Sequence, residues 1–187
     1  MKLVMIRHGE PTYENVRELG LVSYLGELTP LGVSQAEEVS KDERLNGADI
    51  IISSPFTRAL QTAAIISRNT KIPIIVEPAI HEIILDTKHE FTTDEEYTKE
   101  SYKEFALKNG VRDSNTIYRW EELLHIANRA YPALKKYLNY NKVIVVAHAA
   151  LIRTFGYKPQ EFPYCEIFER EFDENSQFEG FTAWKPN

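Results

Sequence analysis

Four short, unbroken apolar runs constrain this chain more than any other feature: Leu3 to Ile6, Ile50 to Ile52, Ile74 to Val76 and Val143 to Val146. A strand with one wet face alternates apolar and polar residues, whereas a strand covered on both faces reads as a continuous apolar run. Helix signals fill the intervals. Thr29-Pro30 offers an N-cap and a proline at the first helical position, and predicts a helix to about Leu45. Ser54-Pro55 repeats that logic and predicts a helix with Arg58 in its first turn, ending near Asn69. From Ile117 to Leu138 apolar residues recur at three- and four-residue steps, the stripe of a long helix that Pro132 should kink or split. Strands alternating with helices predict an α/β three-layer sandwich, with a mostly parallel central sheet and helices on both faces. The charged stretch from 86 to 113 reads as a peripheral excursion with one or two short helices, and Glu166 to Phe172 as an edge strand. No repeat or linker divides the chain, so residues 1–187 are expected to form one domain.

Composition narrows the partners. A chain of 187 residues can bury a sizeable core without metals or disulfides. Its one cysteine, Cys165, rules out an intrachain disulfide and fits a cytoplasmic protein. A net charge of -6 argues against a nucleic-acid partner, yet leaves room for a local cationic pocket. The first apolar run is too short for a signal peptide or a membrane span, so no membrane association is expected.

In parallel sheets, ligands gather outside the carboxyl ends of the strands. Arg7-His8-Gly9-Glu10 follows the first run, and Ala147-His148 ends the fourth. A phosphoryl group carries charge on its non-bridging oxygens, so a site that attacks it needs a nucleophile surrounded by donors. Histidine can supply that nucleophile through a ring nitrogen, and arginine a planar fork that matches phosphate. Gly9 would let backbone N–H groups approach a ligand closely. The tetrapeptide alone reads equally well as a polar turn after a strand.

Four further segments follow in order: Thr29-Pro30-Leu31-Gly32 with Gln35-Ala36, Ser53-Ser54-Pro55-Phe56-Thr57-Arg58-Ala59, His81-Glu82-Ile83, and Val145-Val146-Ala147-His148. With Arg7-His8-Gly9-Glu10, this set resembles the histidine phosphatase superfamily, with its phosphoglycerate-mutase-like fold, over roughly Lys2 to Phe155. The resemblance implies a metal-independent phosphomonoester hydrolase, without a cofactor, acting on a small phosphorylated metabolite. It makes His8 the nucleophile that is transiently phosphorylated, and Arg7 and Arg58 the phosphate clamps. His148 becomes the second pocket histidine, cationic or donating, and Glu82 the proton donor. Such a donor needs a raised pKa, which burial beside Ile83 and Ile84 would supply.

Some positions depart from the family's pattern. Pro11 stands where threonine is frequent, and Asn15, a candidate substrate ligand, is displaced by one residue. Ala149-Ala150 replace the usual glycines, although Ala149 still offers an N–H to phosphate if its backbone is helical. Glu10 could orient the loop rather than touch substrate, and His81, His89 and His125 receive no role. Oligomeric state is not legible.

Other chemistries fit less well. Cys165 has Glu171 where a cysteine phosphatase needs arginine, and His81-Glu82 leads to Leu85 rather than the histidine of a zinc hydrolase. Neither a nucleotide P-loop nor a serine-esterase elbow is present. A looser metal site on His8, His148 and an acid stays open, against the repulsion of Arg7. A phosphoglycerate-type phosphomutase shares the nucleophile, but the cations of the excursion are scattered among acids, which favours hydrolysis. From another class, the fold could serve an inactive protein that binds a phosphorylated ligand.

Overall fold

Each of the four apolar runs forms a strand in the computed structural model, which describes residues 1–14, 16, 22–91, 95–157 and 161–180. They are β1 (Lys2–Arg7), β4 (Ile50–Ser53), β5 (Ile74–Val76) and β6 (Lys142–Ala147). Between β1 and β4 lie β2 (Pro11–Thr12), α1 (Val22–Leu25), β3 (Glu27–Leu28) and α2 (Pro30–Val39); α3 (Thr57–Thr70) links β4 to β5. The later elements are α4 (Glu95–Leu107), α5 (Leu123–Lys135), α6 (Ala149–Thr154) and β7 (Ile167–Glu171). The main sheet runs β5-β4-β6-β1-β7, parallel throughout except for β7, the expected edge strand, which pairs antiparallel with β1.

Side chains alternate across a strand, so β1 feeds two cores. Leu3 and Met5 join the layer of α5 and α6, while Val4 and Ile6 face Val39, Ala59, Ala63 and Ile66 of α2 and α3. Both faces are therefore covered, as the unbroken runs require. Among the described residues no helix is long and apolar enough to cross a membrane.

Three expectations change. Thr29 caps α2 through the Gly32 N–H, but the helix stops at Val39, where the Ser40 hydroxyl donates to the Glu37 carbonyl at 2.7 Å. Asp42 then caps a separate 3-10 turn, Glu43–Leu45. α3 starts at Thr57 rather than Pro55: the Ser54 hydroxyl meets His148 and accepts the Phe56 N–H at 3.3 Å, which closes a turn ahead of the helix. The long stripe yields a shorter helix: α5 begins at Leu123 and runs through Pro132, and Ile117 is 80% exposed. The cause is tertiary. The Glu104 carboxylate on α4 accepts the N–H groups of Ile117 and Tyr118 and the indole N–H of Trp120, which holds that stretch out of a helix.

The excursion is also more than peripheral. Its one described helix, α4, buries Ser101, Phe105 and Ala106, and Phe105 meets Trp120 edge to face at 5.4 Å.

Candidate active site

Strand register brings the first residues of the site together. Ile6 and Ser53 both pair with Val146, and Arg7 pairs with Ala147, so β1, β4 and β6 end at one level. The residues that follow, His8, Ser54 and His148, consequently meet at the carboxyl edge of the sheet. The His8 N–H extends the ladder to the Ala147 carbonyl at 3.0 Å, and the Ser54 N–H does so to Val146 at 3.0 Å. The two imidazoles lie 5.1 Å apart, both buried.

Arg58, on the first turn of α3, is 4% exposed and sits between them. Its Nε–H donates to His8 Nε2 at 3.1 Å, and Nη2 reaches His148 Nδ1 at 3.3 Å. A guanidinium can only donate, so both ring nitrogens accept. The His8 proton therefore resides on Nδ1 and is donated to the Gly9 carbonyl at 2.7 Å. By the same logic His148 carries its proton on Nε2 and donates to Ser54 Oγ at 2.7 Å. Burial, then the charge of Arg58, holds both histidines well below their ordinary pKa. In the free site His148 thus donates to Ser54 and accepts from Arg58.

Glu82 arrives from the turn after β5. Arg129 fixes that turn by donating to the Ala79 and Glu82 carbonyls while gripping the Glu121 carboxylate at 2.8 and 3.0 Å. The Glu82 carboxyl accepts the Ile83 N–H at 3.0 Å. Burial raises its pKa, against the opposing pull of that N–H and of the Arg58 charge. Arg7 donates to the Phe162 carbonyl, and the ring of Tyr164 covers its guanidinium at 4.0 Å. Its Nε is buried with no acceptor among the described residues.

Arg7, His8, Arg58, Glu82 and Ala149 line one cavity of about 300 Å³, with His148 directly behind Arg58. Ala149 is the first residue of α6, so its backbone is helical, and its N–H lies in the turn that lacks intrahelical acceptors. Asn15 falls outside the described residues.

Of two neighbours, Glu10 takes the loop-orienting role that the sequence left open to it, and Gly9 a role other than ligand approach. Glu10 stays with α2, accepting the Thr29 hydroxyl at 2.7 Å, and so orients the loop. Gly9 serves packing: a Cβ there would lie 2.5 Å from the Gly32 carbonyl, and one on Gly32 would lie 2.2 Å from that of Glu10. Its N–H goes to Thr62 Oγ1 at 3.1 Å. Burial pushes the Cys165 thiol up to about 12, which leaves it a poor nucleophile.

Sequence reasoning missed Ser54, whose Ser-Pro context reads as a helix cap, and the aromatic wall of Tyr13, Tyr102 and Tyr164. The richness of the tail in aromatic residues was the one available signal for Tyr164.

Known proteins resemble this chain in sequence and in fold. The histidine phosphatase superfamily (branch 1) matches residues 3–177. A probable phosphoglycerate mutase, GpmB of Proteus mirabilis, is 28% identical over 151 residues, covering 79% of this chain and 69% of the relative. Among solved structures, YhfR of Bacillus stearothermophilus superposes with a TM-score of 0.69 at 23% identity, over 97% of this chain and 98% of that one. A phosphoserine phosphatase from Entamoeba histolytica, in complex with phosphoserine, gives a TM-score of 0.57 at 25% identity, covering 95% and 96%. With a match across nearly its whole length and the fold to go with it, the chain belongs to the histidine phosphatase superfamily, branch 1.

Proposed function

We propose that this protein hydrolyses phosphomonoesters through a phosphohistidine formed on His8. The observation that carries the reading is the orientation of that ring: Gly9 keeps the proton on Nδ1, which leaves the Nε2 lone pair beside Arg58 in a cavity shared with Glu82. In the first step the phosphoryl oxygens take over the Arg58 Nε–H that the His8 Nε2 lone pair accepts in the free site, and the released lone pair attacks phosphorus. The N–P bond forms as the ester P–O bond breaks, and Glu82 gives its proton to the departing oxygen. Water then attacks phosphorus and yields its proton to the Glu82 carboxylate, and the N–P electron pair returns to Nε2. The sum is ester plus water to alcohol plus phosphate, with no redox change.

Arg7, Arg58 and the Ala149 N–H bind the non-bridging oxygens. A phosphate dianion beside His148 Nδ1 favours protonation there, so this nitrogen turns from acceptor to donor as charge builds. The pKa directions suit the roles: His8 is held down and stays nucleophilic, while Glu82 is held up and keeps its proton. Activity accordingly rises with pH as His8 deprotonates and falls as Glu82 does. An ordinary histidine titrates above an ordinary glutamic acid, so the two opposed shifts are what favour the pair of neutral His8 and protonated Glu82. A probable phosphoglycerate mutase and a phosphoserine phosphatase among the similar proteins support a phosphate ester as the substrate.

The test is turnover of p-nitrophenyl phosphate and a phosphomonoester panel, with and without EDTA, by the native protein and His8→Ala. Native turnover should survive EDTA and be inhibited by vanadate, and His8→Ala should lose roughly 10⁴-fold or more in kcat. Full activity in His8→Ala would sink the mechanism. Tight phosphate binding without turnover would instead identify a binding protein, and phosphoglycerate isomerisation without phosphate release a mutase.

A further inference from the structure

Arg7, His8 and Arg58 line the phosphoryl end of the cavity; Ile83, Leu85 and Tyr102, with Glu82 at the boundary, line the leaving-group end. Glu82 reaches this boundary without the support that places the other reacting groups. His8 and His148 follow central strands and Arg58 sits on α3, whereas His81 to Ile84 form neither strand nor helix. The preceding strand, β5, lies at the sheet edge, separated from β1 by β4 and β6. Sheet register alone therefore does not set the acid against the nucleophile.

Two side chains outside the cavity supply a frame. Arg129 lies midway along α5, and Glu121 just before that helix. The Arg129 Nε–H and an Nη2–H meet the Glu121 carboxylate side-on, at 2.8 and 3.0 Å. Nη1 donates to the Ala79 carbonyl at 2.6 Å, and Nη2 also to the Glu82 carbonyl at 3.3 Å. A guanidinium has enough fixed donors to make all these bonds at once, which an ammonium does not. Glu121 closes the other side. Its Oε2 accepts the Ile84 N–H at 3.3 Å, and its own N–H donates to the Ile84 carbonyl at 2.8 Å. The backbone is thus tied on both sides of the Glu82 side chain.

The frame is anchored beneath the nucleophile. Ile126 and Ala130 of α5 share one buried core with Leu3 and Met5 of β1 and with Val143 and Val145 of β6. The helix that packs under the strands of His8 and His148 therefore also holds the acid. A largely buried ion pair adds little net stability over an apolar contact; what sets this one apart is the direction of its bonds.

We infer, resting on the hydrolase reading above, that Arg129 and Glu121 are positioning residues for the proton donor, and hold the Glu82 carboxyl in line with the departing oxygen. They act on the leaving group alone, because binding of the phosphoryl group rests on Arg7, Arg58 and the Ala149 N–H.

The test compares kcat/KM for phenyl phosphate, whose leaving oxygen needs a proton, with that for p-nitrophenyl phosphate, whose phenolate leaves unaided. Arg129→Lys should lower the first about tenfold and the second no more than about twofold, with vanadate inhibition unchanged. Glu121→Gln, the milder change, should lower the first about threefold and Glu121→Ala more. In a Glu82→Gln background each substitution should cost less than about twofold further, since the group it positions is already gone. Circular dichroism and thermal melts establish that each variant is folded; should Arg129→Lys fail to fold, Glu121→Gln carries the same comparison. Equal losses on both esters, losses that multiply with Glu82→Gln, or no loss in the folded variants would overturn the positioning role. Native p-nitrophenyl phosphate turnover and its loss in His8→Ala would still uphold the hydrolase. No turnover of either ester by the native protein would overturn both.

Discussion

The phosphoryl end and the leaving-group end of the cavity are built by different means. The first hangs from three adjacent strands: the His8 and Ser54 N–H groups extend the ladder, and His148 follows the last residue of β6. The second is assembled from connectors held by side chains. Asp86 accepts the N–H groups of Lys88, Glu90 and Phe91, and Glu104 those of Ile117 and Tyr118. Each such bond contributes about 1 kcal/mol net, far less than a cooperative sheet. Reaction type and substrate choice therefore rest on parts of unequal stiffness, and one can change without the other.

Glu82, at the boundary, separates the two ends most sharply. Glu82→Gln should cut turnover of alkyl phosphates roughly 10²- to 10⁴-fold and remove the alkaline fall in the pH profile. Its effect on p-nitrophenyl phosphate should be much smaller, since that leaving group departs as an anion; equal losses on both would argue against an acid at this position. Ser54→Ala probes the stiff end alone. Removing the acceptor of the His148 Nε2–H should lower kcat by about tenfold for every ester tested, with the ratios between esters unchanged. The smallest effect belongs to the connectors. Glu104→Ala should destabilise the fold by about 1–3 kcal/mol in denaturant titrations, and raise KM for bulky esters more than for p-nitrophenyl phosphate. A uniform loss of kcat in that variant would show the two ends to be mechanically coupled after all.

The same division explains what could be read from residues alone. β1, β4, β5 and β6 are legible because burial on both faces leaves an unbroken apolar run, and the strand ends then locate Arg7, His8 and His148. Arg58 and Glu82 are legible through their ordered motifs. The connectors are not. The stretch before α5 carries helical spacing, but a carboxylate from α4 claims its N–H groups, a competition that no local pattern records. Ser54-Pro55 fits a helix cap equally well, and only proximity to His148 decides otherwise. Glycine at position 9 signals closeness without saying to what; the close neighbour is Gly32.

The clamp on Arg7 has a consequence in time as well as in space. Phe162 accepts its guanidinium across 155 positions of chain, Tyr164 covers it, and the Cys165 N–H bonds its carbonyl at 3.0 Å. A loop that long closes late and at a high entropic cost, so a partly folded chain can hold most of its helices while this arginine is still loose. Catalytic competence is therefore a stricter witness of complete folding than helix content, and newly made chains acquire it only when their two distant ends have met.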